Sequence, residues 1–267
     1  MKRLLSVFLV IMFCAVSTFA DTPSEGPKKP TGFERKVYDS TLALYLTIGN
    51  QSRFACTTWP YQKTKTGYVL ISAGHCVIKA VASYRGIGFA VSETIGGPLI
   101  AVRPLKATYE IKDDYIDWSM FDFVTDKTYT VLQFETKGYR IGDKVLSVNF
   151  SRGLGKQVSH GEVASEVLGV SELCIEVHNP ACGAGFLVQL YAAVGSSGGA
   201  VISEKTHKVL GIHVFGFSGD TVGQAVEPIE RFQKFLARWA IIEKQKQELQ
   251  EIPHDVVPNV IPEENTP

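Results

Sequence analysis

From position 37 onward the apolar residues come in short runs separated by turn-forming residues, at 41–48, 67–72, 87–91, 116–124, 145–150, 186–190, 200–203 and 209–215. Runs of this length, bounded by Gly, Ser, Asp and Lys, read as β-strands. With no helical pattern between them, they predict all-β barrels and not a parallel sheet wrapped by helices. One helical period lies late in the chain. Phe232, Phe235, Leu236, Trp239 and Ile242 recur every three or four residues after Glu227-Pro228-Ile229. That spacing predicts a helix over 227–251, with aromatic residues turned to the core and a solvated end at 245–251.

The ends of the chain carry different signals. Lys2 and Arg3 precede an apolar run over 4–19, and Thr18-Phe19-Ala20 offers small residues for cleavage. Residues 1–20 therefore predict a secretory signal, too short for a bilayer span, and a secreted or periplasmic protein without stable membrane association once the signal is cleaved. Residues 21–36 include Thr-Pro-Ser-Glu-Gly-Pro-Lys-Lys-Pro, a composition expected of a flexible leader. The Pro- and Glu-rich stretch 252–267 reads as a disordered tail.

Composition adds little beyond this. The 267 residues are 45% hydrophobic, and 27 Lys and Arg balance 27 Asp and Glu, so nucleic acid is not expected as a partner. Cysteine usage is more informative. Cys14 lies in the signal, leaving Cys56, Cys76, Cys174 and Cys182, an even set suited to an oxidising compartment with three possible pairings. No C-x-x-C spacing is present, so no metal site is expected.

The candidate chemistry centres on Gly195-Ser196-Ser197-Gly198-Gly199-Ala200-Val201. A serine between glycines suits an exposed nucleophile on a tight turn, because a Cβ would block the backbone conformations required. The same string fits the G-x-S-x-G elbow of α/β-hydrolases, in which acid and then histidine follow the serine. Here the candidates precede it. Ile71-Ser72-Ala73-Gly74-His75-Cys76 and Asp117-Trp118-Ser119-Met120-Phe121-Asp122-Phe123 give the order His, Asp, Ser, with Asp117 standing 42 residues after His75 and 80 before Ser197.

In these three stretches the chain resembles the trypsin/chymotrypsin-like serine protease family. The resemblance implies two antiparallel six-stranded β-barrels, at 37–126 and 127–235, with a C-terminal α-helix packed on the second. It implies a monomeric endopeptidase without cofactor that takes polypeptide substrates in the cleft between barrels. His75, Asp117 and Ser197 would be its catalytic residues, as base, orienting acid and nucleophile, and Gly195 and Ser197 would supply the oxyanion-hole N–H groups. Asp113, Asp114 and Asp122 read as solvated charges. The family's bridge beside its histidine implies Cys56 with Cys76, and hence Cys174 with Cys182.

Two departures are instructive. Zymogens of the family pair a new N-terminus with an Asp just before the nucleophile, whereas this chain has Ser196 and no Ile-Val-Gly-Gly-like start. The pattern is closer to bacterial and viral members that are built active. In Gly211-Ile212-His213-Val214-Phe215-Gly216 the histidine is similar to that of bacterial glutamyl endopeptidases, where it contacts a Glu or Gln side chain before the scissile bond. Tyr191, Ala192, Val214, Phe215 and Gly216 would line the same pocket, and Tyr191 offers a hydroxyl. The plain alternative for His213 is a packed, satisfied core histidine. The alternative for the whole chain is a protease-like binding module.

Overall fold

The computed structural model describes residues 29–110, 116–167, 185–215 and 224–250. Residues 1–28 and 251–267, and with them the signal, most of the leader and the tail, lie outside the described residues, as do Cys174 and Cys182.

Strands β1 (Leu42–Ile48), β2 (Gln51–Lys63), β3 (Gly67–Ser72), β4 (Gly88–Ser92), β5 (Ile100–Glu110) and β6 (Ile116–Val124) close an antiparallel barrel in the order β1-β2-β3-β6-β5-β4. Strands β7 (Lys144–Asn149), β8 (Gln157–Val163), β9 (Phe186–Gln189), β10 (Ala200–Ser203), β11 (Val209–Phe215) and β12 (Gln224–Pro228) close a second, in which β7 and β10 pair. The strand order is the same in both. This is the all-β, two-barrel architecture of chymotrypsin type. Each apolar run of the sequence lies on a strand, whereas β2, β5, β8 and β12 carry too many polar residues for the pattern to single them out.

Two short helices depart from the sequence reading. Helix α1 (Gly32–Ser40) takes residues 32–36 out of the expected flexible leader. It has apolar groups to bury after all: Val37 is inside the core, and the Phe33 ring stacks on His207 of the second barrel at 4.1 Å. Helix α2 (His75–Ser83) follows β3 directly and buries Cys76, Val77 and Ala80, a stripe too short to register as periodicity.

Helix α3 (Ile229–Gln250) falls where the aromatic period predicts it. Its setting differs from the expectation of a helix on the second barrel alone. The Phe232 ring packs 4.8 Å from Trp118 and 5.3 Å from Tyr61, both of the first barrel, and 5.2 Å from Phe134 in the connection between barrels. The helix also touches β11 and β12. Aromatic residues in such offset and edge contacts gain beyond their buried area, so α3 braces both barrels.

Candidate active site

Strand β3 runs into α2 through Ala73 and Gly74, setting His75 at the helix start. Strand β6 brings Asp117 alongside, fully buried. The carboxylate grips the histidine twice: Oδ2 lies 2.6 Å from the ring Nδ1, and Oδ1 accepts the backbone N–H of His75 at 2.6 Å. A buried carboxylate is stable only with such partners. With its proton held on Nδ1, the imidazole presents the Nε2 lone pair as a base. The Tyr109 ring meets the imidazole edge-on at 6.0 Å. Asp122 is instead half-buried and ion-paired with Arg103 at 2.9 Å, and Asp113 and Asp114 lie outside the described residues.

The disulfide Cys56–Cys76 ties β2 to the residue after the histidine. Cys56, Cys76 and His75 bring ligand atoms within 4.8 Å of one another, but both sulfurs are bound in the disulfide and no thiolate is left for a cation.

Ser197 sits half-buried on a turn that leads into β10. Gly195 and Gly198 adopt φ of 99° and 83°, values that favour glycine. At Gly198 a Cβ would also collide with the Ser72 hydroxyl and the Thr57 carbonyl. The turn that carries Ser197 therefore lies against 72–73, the residues that lead into His75. Among the described residues the Ser197 hydroxyl has no direct hydrogen bond with His75, and free enzymes commonly tighten that contact only with substrate. The N–H groups of Gly195 and Ser197 likewise have no partner among the described residues, so both could donate to a bound oxygen.

The first barrel holds this turn through residues that the motifs did not single out. Thr57 Oγ1 donates to the Gly195 carbonyl at 2.8 Å, Thr57 N donates to the Ser197 carbonyl at 2.9 Å, and Trp59 Nε1 donates to the Gly198 carbonyl at 3.0 Å. Thr57 and Trp59 are two apart on β2 and so share a face. Their nearness to Cys56 in sequence is the only signal that could have found them.

The second barrel contributes a buried polar cluster, formed by Ser147, Asn149, Ser151, Ser196 and His213. His213 Nε2 lies 3.0 Å from Ser147 Oγ, and Nδ1 is buried without a partner among the described residues. Burial pushes the imidazole down to about 4, so the ring is neutral near neutral pH. Gly199 lies against both Asn149 and His213. Ala192 and Val214 are buried, while Tyr191 is exposed and its carbonyl accepts the Ser159 hydroxyl at 2.8 Å. Phe215 ends β11 and Gly216 lies outside the described residues.

Comparison with known proteins bears on the fold and the family. A serine endoprotease from Yersinia pestis shares the fold, with a TM-score of 0.54, 16% identity, and coverage of 79% of this chain and 67% of that one. No curated protein matches the sequence. The family model for the trypsin-like peptidase domain matches residues 60–212, more than half of the chain. The chain thus belongs to the trypsin-like peptidase family.

Proposed function

We propose that the protein is an exported serine endopeptidase that hydrolyses peptide bonds through Ser197, His75 and Asp117. The observation that carries the reading is the double grip of Asp117 on His75, beside a serine turn whose two N–H groups are free among the described residues. His75 takes the Ser197 proton as the hydroxyl attacks the scissile carbonyl, and the imidazolium formed is stabilised by Asp117. Gly195 and Ser197 N–H groups receive the developing oxyanion. His75 then gives its proton to the leaving amine, and water repeats the sequence on the acyl-enzyme. The disulfide supports an oxidising compartment, in line with the signal-like N-terminus.

His213 supports a preference for Glu or Gln before the scissile bond. Its ring is neutral, Ser147 engages one nitrogen, and the other has no partner among the described residues. A neutral imidazole can donate to a carboxylate or amide oxygen. The test is digestion of a diverse peptide library by the chain from Asp21 onward and by its Ser197→Ala variant, with the cleavage sites sequenced. Cleavage by the parent alone, clustered after Glu or Gln, is the expected result. Cleavage after other residues would discard the role of His213, and equal inactivity of both chains would favour a peptide-binding module.

A further inference from the structure

We infer that Asn149, Ser151 and Ser196 form an uncharged lock that positions the oxyanion turn; the inference rests on the protease reading above. Ser196 is almost fully buried directly before the candidate nucleophile. Its Oγ lies 2.6 Å from Ser151 Oγ, and Ser151 Oγ donates to Asn149 Oδ1 at 2.7 Å. Asn149 Oδ1 also accepts the Ser151 backbone N–H at 3.2 Å. A carbonyl oxygen accepts only, so the direction of the chain is fixed. Ser151 gives its proton to Asn149, and Ser196 therefore gives its own to Ser151. Both hydroxyl oxygens accept the backbone N–H of Ala193, at 3.1 and 3.2 Å.

The same short segment holds the next peptide. Arg152 adopts φ of 56°, a costly conformation for a residue with a Cβ, and its N–H donates to the Val194 carbonyl at 2.6 Å. In a trans peptide the carbonyl and the following N–H point in opposite directions. Fixing the Val194 carbonyl on Arg152 therefore turns the Gly195 N–H away from that segment. The Ser196 carbonyl is likewise taken by Gly199 N–H at 2.8 Å, which turns the Ser197 N–H the other way. Both proposed oxyanion donors are thus set by peptides clamped from behind.

This arrangement supplies a positioning device with no buried charge. A carboxylate at position 196 would need a cation to offset its desolvation, and a serine hydroxyl needs only the two neighbours it has. Ser196, Ser151 and Asn149 are positioning residues, acting through the turn and not on the substrate.

Steady-state kinetics of the parent, Ser196→Ala, Ser151→Ala and Ser151→Thr on a cleaved peptide, with inhibition by a peptide boronate and the thermal midpoint of each, test the lock. The two alanine variants are expected to lose at least about tenfold in kcat with KM within about twofold, because a lost oxyanion donor is worth about 10²–10³. Boronate affinity should fall in parallel, and Ser151→Thr should restore both. If both alanine variants keep parental kcat and boronate affinity, the lock is refuted. It is also refuted if Ser151→Thr, folded by its thermal midpoint, is as impaired as Ser151→Ala. A parent without Ser197-dependent cleavage would refute the protease reading itself, and is distinguished by the Ser197→Ala control.

Discussion

The Thr57 hydroxyl donates to the Gly195 carbonyl across the two barrels at 2.8 Å and accepts the Phe150 N–H at 3.1 Å. One side chain on β2 thereby fixes the turn at Gly195 and the segment behind it. Thr57→Val keeps the shape and removes both bonds, leaving a buried carbonyl and a buried N–H unpaired. The expected cost is about 2 kcal/mol of stability, read as a lower thermal midpoint. A fall in kcat with little change in KM should accompany it.

Asp117→Asn should leave the fold intact and lower kcat by about 10⁴-fold, the cost of the equivalent change in the family's archetype. An amide can present its NH₂ to Nδ1, which moves the ring proton to Nε2 and removes the base. Single-turnover acylation rates on an ester substrate would show the loss directly.

The Cys56–Cys76 bridge joins residues 20 apart. Closing a loop of that size limits the unfolded chain by about 3 kcal/mol, so Cys56→Ala/Cys76→Ala should lower the thermal midpoint by roughly 10 °C. Reduction of the parent with dithiothreitol should reproduce the shift, and the double variant should be insensitive to it.

His213 gives a pH dependence with a definite sign. Its folded value, near 4, lies below the ordinary 6.5, so the unfolded chain binds a proton that the folded chain refuses. The native state should therefore lose stability as pH falls from about 6.5 towards about 4, by about 3 kcal/mol in total, and gain nothing from His213 above that window. Urea unfolding of the parent and of His213→Gln across pH 4–8 checks this. The variant should show a flatter profile.

Phe232→Ala removes the ring that meets Trp118, Tyr61 and Phe134. Truncations of this kind cost about 3–5 kcal/mol. Because the ring ties α3 to the first barrel while the helix also touches β11 and β12, one cooperative unfolding transition should separate into two in calorimetry.

Much of this architecture was legible in the sequence, for physical reasons that differ by element. Strands such as β3, whose six residues are all buried, announce themselves as apolar runs. The same holds for His75, Asp117 and Ser197, which sit in distinctive short strings. Strand β8, Gln157–Val163, alternates weakly and mixes polar residues throughout, and helix α1 is anchored by Phe33 on a histidine 174 positions away in sequence. No local pattern encodes such a contact. Thr57 and Ser151 escaped notice because their part is to hold backbone groups, a task that any hydroxyl in the right place can perform and that leaves no motif.

The brace formed by α3 also sets an order of assembly. His75 and Asp117 belong to one barrel and Ser197 to the other, and all three precede the helix in the chain. Trp118 and Tyr61 lack the aromatic partner on α3 until Phe232 has been made. A nascent chain therefore holds every reactive group before it holds the element that fixes their mutual setting. The mutual setting of the two barrels is therefore complete only once α3 has been made, and not when the barrel strands alone are present.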